Sequence, residues 1–73
     1  MNTIKYAVVG IKKSEPCAEF YDSERDALDA AKEAWDYMVE RDDSDLYEEF
    51  YVAKAELDEQ GAVSEFEIIK RYK

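Results

Sequence analysis

The 73-residue sequence contains no histidine, a single cysteine, a single proline and two glycines, and its apolar runs never exceed a few residues. Each shortage closes off a class of chemistry. Without histidine, the side chain that most often acts as general acid or base near neutral pH is missing. A zinc centre of the Cys/His kind cannot be assembled around one thiol. A cysteine nucleophile would have no imidazole beside it, and Ser14 and Ser44 have no base of the usual kind. Gly10 and Gly61 stand alone, so there is no glycine-rich loop to cradle phosphate. Cys17 has no disulfide partner, which excludes a cross-linked secreted scaffold, and it reads as a small strand residue. No stretch is long enough to cross a bilayer, and residues 1–5 lack the apolar run of a signal peptide. The expectation is a cytoplasmic, non-catalytic protein with no cofactor, no metal and no membrane attachment.

What is present is apolar and acidic. Hydrophobic residues make up 47% of the chain and include Trp35, six tyrosines and three phenylalanines, an aromatic density that argues for a folded core although 40% of residues are charged. The expected organisation is a single domain over residues 1–73. Such a chain buries only about 60% of its unfolded surface, so its apolar residues must be used efficiently or a partner chain must contribute. Between Asp22 and Glu49 twelve acids oppose three bases, while the remainder is balanced, so this one segment carries the whole formal charge of −9. Nucleic acid and anionic membrane are repelled by it, so neither is expected as a direct partner.

Residues 3–13 read as a strand in which Ile4, Tyr6 and Val8 alternate with Lys5, Ala7, Val9 and Ile11. Both faces are largely apolar, which predicts a place at the sheet centre. Ser14, Glu15 and Pro16 suit a reversal. Residues 17–21 read as a shorter edge strand, since Pro16 donates no ladder hydrogen bond. The spacing then predicts a helix over 23–41. Ser23 is a good N-cap with Asp26 three residues on, and Asp22, Glu24 and Asp26 put negative charge at the positive end of the helix dipole. Ala27, Leu28, Ala31, Ala34, Trp35 and Met38 fall within an arc of about 120°, with Asp29, Lys32, Glu33, Asp36 and Glu40 opposite. The alanines let this helix lie close to a sheet, and Trp35 fills the larger gap.

Residues 42–49 form a charged connector with five acids and no base. Beyond it two readings compete. Residues 50–58 alternate as a strand, with Tyr51, Ala53, Ala55 and Leu57 on one face and Phe50, Val52, Lys54 and Glu56 on the other. Residues 58–61 then supply turn chemistry, and residues 63–72 a last strand with Phe66, Ile68 and Tyr72 on one side and Val63 and Ile69 on the other. The rival is a second helix over 45–60, capped by Ser44 and ended by Gly61, with Leu46, Phe50, Ala53 and Leu57 at helical spacing. The run Phe50-Tyr51-Val52 and the last strand's need for a neighbour favour the extended reading. The expected fold class is α+β in the order ββαββ: a four-stranded, largely antiparallel sheet with one amphipathic helix packed on one face.

Asp22-Ser23-Glu24 followed by Ala27, Ala31, Trp35 and Met38, the run Phe50-Tyr51-Val52 and the closing Ile68-Ile69-Lys70 resemble the pattern of a group of short uncharacterised proteins, a domain of unknown function, from Gram-positive anaerobic bacteria and their mobile elements. The resemblance spans most of the chain and implies a strand from Phe50 onward. It implies no activity and no functional residues.

A lone helix covers one face of a sheet, so Tyr6, Phe20, Phe50, Phe66 and Tyr72 are expected to leave an apolar partner face on the other. Its expected occupant is a protein of unknown identity or a second copy of the chain in a symmetric dimer, sheet to sheet or edge to edge. The second candidate surface is acidic, with Asp29, Glu33, Asp36 and Glu40 on the helix and Asp42, Asp43, Asp45, Glu48 and Glu49 on the connector. Carboxylates three or four residues apart on a helix stand about 5–6 Å from one another, in the range of phosphate spacing along a nucleic-acid strand. The plain alternative is solubilising charge. Asp43 and Asp45 look like the opening of a calcium loop, but its sixth position is Glu48 instead of glycine and its twelfth is Lys54 instead of glutamate. Lys12, Lys13, Lys70, Arg71 and Lys73 offer a small basic patch diluted by Glu65 and Glu67. Two functions are therefore expected to compete: a small, homodimeric protein-interaction or structural module, and an acidic nucleic-acid mimic that inhibits a basic nucleic-acid-binding protein.

Overall fold

Two β-hairpins flank one helix. Strands β1 (Thr3–Lys12) and β2 (Glu15–Tyr21) are followed by helix α1 (Glu24–Glu40), a single 3₁₀ turn (Ser44–Leu46), and strands β3 (Tyr47–Leu57) and β4 (Val63–Arg71). The computed structural model describes residues 2–73. All neighbouring strands are antiparallel, in the order β2-β1-β3-β4, so the hairpins join through β1 and β3. This is the expected ββαββ arrangement, with β1 central and residues 47–57 extended; the rival helix over 45–60 does not form.

The first reversal is tighter than its composition suggests. Lys13 and Ser14 alone make it, with φ of 52° and 66°, the left-handed pair whose twist matches that of the flanking strands. Strand β2 consequently begins two residues earlier than expected, and Pro16 lies inside it opposite Ile11. On an edge strand the missing N–H can face solvent, so the ladder is not broken.

Helix α1 has defined ends. Ser23 Oγ accepts from the Asp26 N–H at 3.1 Å. At the other end Asp42, with φ 58°, donates its N–H to the Val39 carbonyl, and Asp43 donates to the Met38 carbonyl at 2.8 Å. That pair of bonds is a Schellman cap, with aspartate in the left-handed position where glycine is usual.

Ala27 and Ala31 are fully buried and bring the helix backbone close to Val52 and Phe50, while Leu28, Trp35 and Met38 pack around them. Ala34, expected on the same arc, is exposed at its edge. Trp35 lies 5.5 Å from Phe50 and 5.9 Å from Tyr72, ring centre to ring centre, and Phe50 meets Tyr72 edge-on at 5.9 Å. Each such pair adds about 0.5–1.5 kcal/mol beyond area burial. Gly10 makes the room beneath: a Cβ there would meet Tyr47 Cε2 at 3.2 Å and Phe50 Cδ2 at 3.3 Å.

Strand β4 breaks simple alternation. Bulges at Val52/Ala53 and at Glu56/Leu57 each insert an extra β4 residue into the β3–β4 register. As a result Tyr72 turns to the helix side, and Val63, paired with Leu57, joins Phe66 and Ile68 on the other. Val63 and Tyr72 thus exchange the sides that a strict period of two assigns them.

The first turn yields a test of this geometry. Lys13→Asn with Ser14→Gly removes the penalty of holding two ordinary residues left-handed and is expected to raise stability by about 1–2 kcal/mol. The bond from the Ser14 amide to Glu48 Oε1, at 3.0 Å, uses only backbone on the donor side and survives the change. Urea unfolding should show a higher midpoint at unchanged slope.

Candidate interaction surfaces

The acidic residues divide into groups. Asp29, Glu33, Asp36 and Glu40 are all exposed on α1 and run along it at helical spacing. Arg25 reaches Asp29 at 3.9 Å, a contact between two side chains that are mostly in water, which gives it little strength. Among the described residues no cation lies within ion-pair distance of Glu33, Asp36 or Glu40. Asp42 and Asp43 form the helix stop, with Asp43 paired to Arg41 at 3.7 Å, and Asp45 lies exposed in the 3₁₀ turn.

Glu48 and Glu49, expected in a loop, belong to β3. Glu48 accepts from the Ser14 amide. Glu49 pairs with Ile11 in the ladder, on the side away from the helix, where Arg71 holds it at 3.0 Å. The nine acids therefore make a helix row with a loop extension, and Glu49 is separate from both. The basic residues are likewise dispersed: Lys70 lies over Tyr72, Arg71 binds Glu49 and lies over Tyr51, and Lys73 Nζ donates to the Ser44 carbonyl at 3.0 Å.

The expected aromatic face is corrected. Phe50 is 5% exposed, and it lies with Tyr6 and Tyr72 on the side that α1 covers. Only Phe20 and Phe66 of that set belong to the open side. The reason is cross-strand register: Tyr6 shares its face with Val8 and Gly10, and these pair with Val52 and Phe50 under the helix. Gly10 on that same face leaves room for the Tyr47 and Phe50 rings, and Trp35 packs against Phe50 and Tyr72.

The open face has its own construction. A row across the sheet runs Phe20–Ala7–Ala53–Ile68, and the next runs Lys5–Ala55–Phe66. Ala7, Ala53 and Ala55 are at most 5% exposed and form a floor, whereas Phe20 on β2 and Phe66 on β4 stand 52% and 58% exposed as walls, with Ile68 and Val63 beside Phe66. The result is an apolar trough along the central strands. Its charges cancel at the rim, where Lys5 pairs with Asp22 and Arg71 with Glu49. A separate shallow depression of about 450 Å³ is lined by Ile4, Lys54, Glu56, Glu65, Phe66 and Glu67.

Two phenols have shifted titrations. Tyr21 donates to Glu19 Oε2 at 2.9 Å, and this bond first, then burial and the carboxylate's charge, raises its pKa. Burial raises that of Tyr72, and the negative charge of Asp36 adds to it. Among the described residues no group of three or more Cys, Asp or Glu is arranged to hold a metal ion, and no helix is long and apolar enough to cross a membrane. No protein-family model, curated protein or solved structure matches the chain.

Asp36→Asn is expected to move the Tyr72 titration down, leaving the part due to burial, as read by tyrosinate absorbance against a Tyr72→Phe reference. The sign for stability follows from the raised phenol. It holds its proton longer folded than unfolded, so its contribution is complete below the ordinary tyrosine range and is lost as pH climbs through the folded value. Asp36→Asn should narrow the alkaline window in which that loss occurs.

Proposed function

We propose that this chain is a small, non-catalytic protein-interaction module of the cytoplasm that docks through the open face of its sheet. The observation that carries this reading is the trough itself: Phe20, Val63, Phe66 and Ile68 stand exposed on a face that no element among the described residues covers. Apolar patches of that kind on small proteins mark interaction sites. The helix side, closed by Trp35 and dressed with carboxylates, keeps the module in solution.

The exposed row of acids on α1, in which Glu33, Asp36 and Glu40 have no ion-pair partner among the described residues, favours a second reading, a nucleic-acid mimic that enters the basic groove of a nucleic-acid-binding protein. The two readings differ in physics. A contact made by carboxylates weakens steeply as salt rises, whereas an apolar contact does not.

A photo-crosslinking side chain placed in living cells at position 66 or at position 33 separates them. The interaction module is expected to give adducts from position 66 that disappear with Phe20→Asp and persist at high salt. Adducts only from position 33, lost when Glu33, Asp36 and Glu40 are changed to lysine, would establish the mimic instead. Silence at both positions overturns both readings.

A further inference from the structure

We propose that the occupant of the open face is a second copy of this chain, stacked sheet on sheet into a four-layer α/β/β/α homodimer. The inference rests on the docking reading above and names its partner.

Surface area is the first argument. A compact folded monomer of this chain's mass exposes about 4,650 Å², and this one exposes 5262 Å². The surplus, roughly 600 Å², is about three quarters of the ~800 Å² that each side of a standard-size interface contributes. The shape agrees. The fold extends 42 × 26 × 14 Å between its Cα atoms, one helix layer on one sheet layer. A sheet of four strands is about 19 Å wide, and a second sheet stacked on it at about 10 Å supplies the missing cover.

Relief is the second argument. A trough with an alanine floor and a Phe66–Ile68 wall is complementary to itself, because the wall of one copy can seat in the floor of the other. A two-fold operation makes the reverse contact identical.

Charge is the third. The open face is neutral once Lys5–Asp22 and Arg71–Glu49 are counted, so the formal −9 of each copy lies elsewhere. Sheet-to-sheet stacking puts the two acidic helices on opposite outer layers, roughly 30 Å apart across three layer spacings, several times the Debye length at physiological salt. Edge-to-edge pairing would instead keep both helices on one side of a continuous sheet or at its rim, with less separation between like charges.

Sedimentation equilibrium of the full chain tests this. The expected result is a reversible dimer of twice the 8.5 kDa chain mass. Its dissociation constant should fall severalfold between about 20 mM and about 300 mM salt as the residual repulsion is screened. Phe66→Asp should weaken the dimer by at least about 30-fold. Tyr37→Asp, an equally exposed aromatic on the helix, should leave it unchanged. Val63→Asp serves in place of Phe66→Asp if circular dichroism shows that variant unfolded.

A monomer at about 0.5 mM protein and high salt, or a dimer indifferent to both open-face variants, overturns the homodimer. The photo-crosslinker at position 66 keeps the two claims apart. Adducts of twice the chain mass, mapping to the peptide around Ala53 and Ala55, support the second copy. Adducts to a different protein from a monomeric chain overturn the second copy and leave the docking face standing.

Discussion

Trp35 packs where the helix, the two central strands and the end of the last strand meet. Alanines at Ala27 and Ala31 bring α1 down until only one large gap remains, and the indole fills it against Phe50 and Tyr72. Gly10 leaves the floor of that gap low enough for the edge-on Tyr47 and Phe50 rings to approach the backbone. Trp35 is partly buried, whereas its neighbour Phe50 is buried; deleting a buried aromatic costs about 3–5 kcal/mol, a large part of the ~5–15 kcal/mol that holds an ordinary domain together. The Trp35 contact sits on the side to which strand register and the β4 bulges bring Tyr6, Phe50 and Tyr72, while the other side has alanines in its middle.

The two sides consequently work by different physics. On the helix side the outer positions of α1 are free of packing constraints, and acids accumulate there with few bases to oppose them. Their influence reaches over a Debye length and fades with salt. On the sheet side the charges cancel in pairs and the exposed groups are apolar, so recognition depends on contact and shape. A protein with a net charge of −9 resists unspecific association, and under the proposed docking reading the neutral apolar trough on the opposite side is the more selective of the two surfaces.

Much of the architecture was legible in the residues. Ser23 with Asp26 marked the helix start, two apolar faces marked β1 as central, and Pro16 marked β2 as an edge. The alternation of Tyr51, Ala53, Ala55 and Leu57 against Phe50, Val52 and Lys54 matches the faces of β3. Other features had no local signature. Lys13 and Ser14 form a left-handed turn without the glycine or asparagine that usually announces one. The bulges in β4 exist only in relation to β3, and they alone decide that Tyr72 rather than Val63 joins the helix side. Glu49 read as a loop acid because nothing nearby in sequence shows that Arg71 will hold it on the open face.

Local periodicity determined the elements, because repeats of 2 and 3.6 residues act within one segment and need no knowledge of the others. It also determined that α1 would carry its acids outward. Tertiary structure alone decided which of two apolar sheet faces the helix would take. Both faces satisfy the alternation equally well; the volume of Trp35, the missing Cβ of Gly10 and the register of four strands distinguish them, and these come from residues far apart in the chain.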